Sequence, residues 1–204
     1  MSLSIEEVNA LQQAPVEGML PTLAHRWSPR AFKETPVPAN DLKIILEAAR
    51  WAASSSNEQP WRFLVGVKGS ETHQKIFDTL VGFNQSWAGK AGVLILSISH
   101  LKDSKGNPNR YASYDLGQSV VSLILQATAL GLATHSMGGF DHEAALRAFD
   151  LTDEYALGAV IAIGYQDEPA ALANEALRER EIAPRKRKPL SEIALTALDT
   201  PFEV

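Results

Sequence analysis

Apolar residues recur at Leu42, Ile45, Leu46 and Ala49, the spacing that puts one stripe of an α-helix against a core. This predicts a helix over residues 41–52, with Asn40 as its N-cap. Ile76, Phe77 and Leu80 predict a second helix over 71–81, and the stretch up to Gln13 reads as a short one. Phe63–Val67, Gly92–Ile98 and Ala159–Gly164 are short, continuous apolar runs. Runs of that length read as strands, the third buried on both faces. Helices and strands interleave without strict alternation, which points to an α+β fold.

From Tyr111 to Phe140 the only formal charge is Asp115, and Leu116–Leu132 is apolar on nearly every side. Gln118, Ser119, Ser122, Gln126 and Thr128 interrupt it too often for a membrane span. A helix that is apolar all round belongs in a core. A chain of 204 residues has little room to enclose one completely, so cover by a second subunit is expected. The length suits a single domain, 1–204, with an N-terminal arm to about residue 20 and a C-terminal basic segment and tail at 185–204.

The formal net charge of −5 argues against non-specific nucleic-acid binding, which rests on phosphate neutralisation by Lys and Arg. The absence of cysteine excludes disulfides, thiolate metal sites and cysteine nucleophiles. His135 and His142 lack a third ligand, so no metal site is predicted. Met1–Glu7 has neither a basic nor an apolar leader region, and a cytoplasmic protein is expected. No strand is followed by a dinucleotide or P-loop glycine motif. Gly117-Gln118-Ser119-Val120-Val121 lacks the last glycine of a nucleophile elbow.

Four stretches carry chemistry. Arg26 and Arg30 sit four positions apart in Arg26-Trp27-Ser28-Pro29-Arg30, and guanidinium forks suit phosphate. Ala52–Trp61 combines small residues, hydroxyls and amides, a mixture of donors and acceptors that suits the polar edge of a flat ring. His135-Ser136-Met137-Gly138-Gly139-Phe140 has paired glycines that free backbone N–H groups to face a ligand. Arg185-Lys186-Arg187-Lys188-Pro189-Leu190 is a basic run in an acidic chain, able to balance a bound phosphate.

In this order and at these intervals, the stretches resemble the FMN-dependent nitroreductase family, from about Pro21 to Ile193. Arg26–Phe32 is similar to the family's R-R-S-x-R-x-F, Ser54–Trp61 to S-S-x-N-x-Q-P-W, and Asn84–Trp87 to N-x-x-W. Gly131-Leu132 with Met137–Phe140 resembles the glycine element, and Arg185–Leu190 the closing basic one. The resemblance implies a central, mostly antiparallel sheet flanked by helices, in an intertwined homodimer with FMN at the interface.

It also implies roles for individual residues. Arg26, Arg185 and Arg187 would hold the FMN phosphate, and Ser28 and Arg30 the ribityl chain and pyrimidine edge. Ser54, Ser55, Ser56 and Asn57 would come from the partner subunit to line the ring, and Gln59 would be a further cofactor-binding residue. Asn84 would meet its polar edge, and backbone at Met137, Gly138 and Gly139 its N5 side. The implied reaction is ping-pong transfer of hydride from NAD(P)H, through flavin N5, to an organic acceptor such as a nitroaromatic or quinone. No side chain is implied as a catalytic acid or nucleophile. A flavin carrier without turnover, or a specialised dehalogenating or flavin-remodelling enzyme, would keep the same fold. Two positions depart from the pattern: Trp27 replaces a basic residue beside the cofactor chain, and Ala53 replaces a proline before the serines.

Overall fold

The computed structural model describes residues 3–203. Four strands form one antiparallel sheet in the order β1-β2-β4-β3: β1 (Trp61–Val67), β2 (Val93–His100), β3 (Ala133–Met137) and β4 (Tyr155–Gly164). The expected strands at 63–67, 92–98 and 159–164 are all present and each is longer than its apolar run. The chain is α+β, as the interleaved pattern predicts. β3 has no apolar run of its own. Ala133-Thr134-His135-Ser136-Met137 becomes a strand because β4 pairs along its length, from Ala133↔Gly164 to Met137↔Val160.

The sheet has a core on each face, following the period-two alternation of β2. Leu94, Leu96 and Ile98 pack with Ile76, Trp87, Met137 and Leu177. Val93 and Ile95 pack with Ile45, Leu123 and Ala127. The first face is covered by α4 (Glu71–Thr79), α5 (Gly82–Ala88), α7 (His142–Ala148) and α8 (Glu175–Ile182), the second by α3 (Ala39–Arg50) and α6 (Ala112–Ala129). Between Leu96 and Ile98 the β2–β4 register slips by one residue. The Ser97 hydroxyl fills the gap, donating to the Ala159 carbonyl and accepting from the Ala159 N–H, both at 2.9 Å. No side chain fits at Gly158 opposite, where a Cβ would lie 2.6 Å from Ser97 Oγ.

Helix boundaries shift where local chemistry competes. α3 begins at Ala39, with Pro38 in the cap position, so Asn40 lies in the first turn and is not the N-cap. Proline's fixed φ prepares the chain for helix two residues earlier than the side-chain signal suggests. α4 starts where the Ser70 hydroxyl accepts from the His73 N–H. The N-terminal residues are held against the body: α1 (Ile5–Gln12) buries Val8 and Gln12, and Gln12 Nε2 donates to the Glu181 and Ala183 carbonyls. Beyond Ala183 the chain runs out as an exposed segment ending in a small hairpin of β5 (Leu195–Ala197) and β6 (Thr200–Pro201).

α6 begins four residues before the expected Leu116 and ends three before Leu132. Its buried residues, Ala112, Asp115, Leu116, Ser119, Leu123 and Ala127, mark a single face. The opposite side carries Tyr114, 69% exposed, and Val121, 50% exposed. An all-round apolar helix is thus half covered by its own chain. Among the described residues no helix is long and apolar enough to cross a membrane.

β1 and α4 approach so closely at Gly66 that a Cβ there would sit 2.5 Å from the backbone N and Cα of His73. Gly66→Ala is expected to cost about 2–3 kcal/mol, as overpacking against backbone does. Urea unfolding monitored by tryptophan fluorescence would show a lower midpoint with an unchanged slope.

Candidate functional site

Residues 26–31 run extended after α2 (Pro21–His25). The segment is tied to the chain beyond β4 by Lys33 N–H to Tyr165 O, Asp167 N–H to Ala31 O, and the Phe32↔Gln166 bridge. Burial alternates along it: Trp27, Pro29 and Ala31 are buried, while Arg26, Ser28 and Arg30 are partly open. This is the period-two pattern of an extended chain, and it places two guanidiniums and a hydroxyl on one side. Arg26 Nη1 lies 3.4 Å from Ser28 Oγ.

That side forms one wall of a cleft of about 250 Å³, completed by Gln12, Arg180, Ala183, Arg185 and Arg187. Five guanidiniums therefore line one cavity. Among the described residues a single carboxylate answers them. Glu181, fully buried, accepts from the N–H groups of Arg30 and Ala31 at 2.9–3.0 Å and lies 3.9 Å from Arg30 Nη1. Burial pushes its pKa up, and the Ala31 and Arg30 N–H groups and the Arg30 charge oppose that shift.

The remaining arginines repel one another. Burial lowers the Arg26 pKa, and Arg187 lowers it further. Arg185 is lowered by burial and then by Arg26 and Arg187. Arg30 is lowered by burial and by Arg180, against Glu181. Arginine stays protonated under such pressure, so the repulsion is stored in the fold. Arg30 Nε is also buried without a partner. A bound anion would relieve both.

The structure alters how several predicted residues are employed. Arg185 Nη1 and Nη2 donate to the Arg26 and Ala24 carbonyls, so this side chain pins the C-terminal segment and has only its remaining donors for a ligand. Trp27 is buried, and its indole N–H donates to Asn9 Oδ1 at 2.8 Å. The bulk expected beside a cofactor chain instead anchors α1. Asn84, on α5, donates one amide hydrogen to Gly139 O at 2.9 Å, and Val81 N–H donates to the same carbonyl. These bonds fix the Met137-Gly138-Gly139 backbone as it leaves β3. His135 Nδ1–H donates to Pro29 O at 2.9 Å, since a carbonyl can only accept, and its ring packs on Trp87. β3 is thus held against the arginine segment.

Ser54–Gln59 lies apart from the arginine cleft in the single chain. It flanks its own cavity of about 160 Å³, with Ser55, Ser56, Asn109, Arg110 and Tyr111 among the lining residues. Ser56, Asn57 and Gln59 have φ of 52°, 58° and 49°, each a cost of about 1–3 kcal/mol that surrounding contacts must hold. The holders are Asp115, accepting from Ser55 N–H at 3.1 Å, Ser54 Oγ, accepting from Gln59 N–H, and Glu58, accepting from the Ser104 N–H and hydroxyl. With Ala53 in place of proline, these bonds set the turn. Asp115, Arg180 and Glu181 were not legible as site residues. Each is an ordinary helix residue until tertiary contact gives it a neighbour.

A four-stranded antiparallel sheet with helices on both faces, an arginine cleft at one edge and a strained polar turn apart from it defines an α+β ligand-binding protein of the nitroreductase fold. The Nitroreductase family profile matches residues 23–86 and 71–165, and the chain belongs to that family. A solved oxidoreductase containing FMN superposes with a TM-score of 0.85 at 36% identity, covering 94% of this chain and 97% of that one. A 15.4 kDa protein from the ask 5′ region of Mycolicibacterium smegmatis is 35% identical over 142 residues, 66% of this chain and 95% of the relative. An NADH dehydrogenase of Thermus thermophilus is 29% identical over 176 residues, 70% of this chain and 84% of the relative.

Burial, helped by Arg30 and Arg26 and opposed by the Pro29 and Ser28 carbonyls, pushes the His135 pKa down to about 4, against about 6.5 in an unfolded chain. Between those values the unfolded state binds a proton that the folded state refuses. This contribution to stability is therefore whole above pH 6.5 and lost as the pH falls towards 4. Denaturant unfolding at pH 7 and pH 4.5 should show a smaller loss of stability for His135→Gln than for the wild type.

Proposed function

We propose that the chain is an FMN-dependent oxidoreductase that takes hydride from NAD(P)H and passes it to an organic acceptor, working as a homodimer. The observation that carries this reading is the convergence of Arg26, Arg185 and Arg187 on one cleft where no carboxylate among the described residues balances them. A phosphate monoester of about −1.5 to −2 charge fits that imbalance. The FMN-containing oxidoreductase that shares the fold over 94% of the chain supports the same cofactor.

In this reading Arg26, Arg187 and the free donors of Arg185 hold the phosphate. Ser28 and Arg30 take the ribityl chain and pyrimidine edge, and Arg30 Nε gains the partner it lacks. Backbone N–H groups at Met137-Gly138-Gly139, steadied by Asn84, face the reacting side. FMN, when bound, supplies the hydride-accepting and hydride-donating atom, N5. The protein's contribution is position and charge. A positive Arg30 favours the side of the reaction on which the ligand becomes negative, and an open site admits nicotinamide and a nitroaromatic or quinone acceptor in turn.

The dimer is supported by two independent features. The exposed side of α6, with Tyr114 and Val121, and Trp51 at 78% exposure leave apolar surface that a second copy would cover. The Ser54–Gln59 turn stores strain in a cavity separate from the arginines, so it serves one site only if it reaches the cleft of the other subunit.

Purified protein should be yellow or become so with added FMN, and NADH or NADPH should bleach it. A protein that stays colourless in excess FMN would sink the proposal. Arg187→Ala should weaken FMN binding about tenfold or more, read by quenching of flavin fluorescence. Arg30→Ala should instead lower the reduction potential more than it weakens binding; the reverse pattern would exchange the two assignments.

A further inference from the structure

The cleft holds more positive charge than one phosphate monoester needs, and the excess is not evenly placed. Arg26, Arg185 and Arg187 act on one another. Arg180 acts on Arg30, whose charge is already met by Glu181 at 3.9 Å. The charge left without an answer at this end belongs to Arg180. It makes no salt bridge or hydrogen bond among the described residues, although the neighbouring Arg178 is tied to Glu175 and the Leu172 carbonyl.

Arg180 is exposed, as Arg187 is, whereas Arg26, Arg30 and Arg185 are partly buried, so it stands at the rim of the cleft and those three line its depth. Its guanidinium lies 4.8 Å over the ring of Phe83, which is itself 42% exposed. A guanidinium resting on an aromatic face keeps its N–H fork free at its edge and loses little freedom on binding. That fork matches a phosphate monoester, and a nearby arginine is how dinucleotide sites accommodate the 2′-phosphate of NADP. A rim position suits a ligand that enters and leaves with every turnover, while the deeper arginines suit a resident one.

We infer that Arg180, braced on Phe83, is a second phosphate subsite that takes the 2′-phosphate of NADPH and makes this chain prefer NADPH to NADH. The inference rests on the proposed oxidoreductase function and adds the choice of reductant. The 2′-phosphate is a doubly charged monoester, whereas the pyrophosphate shared by both nicotinamides carries one charge per phosphorus. An extra cation therefore discriminates most at the 2′ position.

Holoenzyme is titrated calorimetrically with adenosine 2′,5′-bisphosphate and with adenosine 5′-monophosphate, and kcat/KM is measured for NADPH and NADH. The wild type should favour the bisphosphate and NADPH by about tenfold or more. Arg180→Gln should lose that preference, raising KM for NADPH about tenfold more than KM for NADH. Arg180→Lys, which keeps the charge but not the braced fork, should recover part of it. Equal effects on both nicotinamides would overturn the inference, as would a wild type that binds the two adenosine phosphates alike. So would a tenfold fall in FMN affinity in Arg180→Gln, which would assign this arginine to the resident cofactor. A colourless protein that refuses FMN would refute the oxidoreductase reading itself, and the two titrations would still show whether the 2′-phosphate is recognised.

Discussion

Glu181 is a carboxylate with no solvent exposure at the point where three distant parts of the chain meet. It accepts from the Arg30 and Ala31 N–H groups and lies beside the Arg30 guanidinium, while its own backbone carbonyl accepts from Gln12. Burying a charge costs several kcal/mol unless hydrogen bonds and a partner offset it, and here both are present. The result is a knot. The arginine segment, the N-terminal helix and α8 cannot move independently, and α8 leads directly into Arg185 and Arg187. The geometry of the cleft depends on this one side chain.

Around that knot the molecule holds two kinds of tension. One is electrostatic: guanidiniums are packed at an edge of the sheet with too few anions near them. The other is conformational: three of the four backbone positions from Ser56 to Gln59 sit at positive φ without glycine. Both are tolerable because the scaffold between them is rigid. The antiparallel sheet is packed on both faces, and the Ser97 bulge keeps its backbone groups paired where the register slips. Strain and unmet charge collect where a ligand can relieve them, which is where binding sites are commonly found.

The residues that carry motif chemistry were legible in order, but their present employment was not. Arg26, Ser28 and Arg30 do share one side of an extended segment. Arg185 is half committed to backbone carbonyls, Trp27 is a packing residue with a hydrogen bond to Asn9, and Asn84 clamps the glycine element. A motif specifies which side chains are available. Which donors remain free depends on neighbours 18 to 161 positions away along the chain.

The sequence by itself determined the α+β class, three of the four strands of the main sheet, the helices with a clear apolar stripe, and a family resemblance that the comparisons bear out. Those features depend on local periodicity and on spacing along one chain, which a sequence displays directly. Only the tertiary structure decided that Ala133–Met137 is a strand, that α6 covers itself on one face and leaves the other open, and that Arg180 and Glu181 belong to the cleft. An edge strand with polar residues takes its hydrogen bonds from a partner strand, and a helix residue becomes a site residue only through what packs against it. Pairing and packing are relations between distant segments, so no local window contains them.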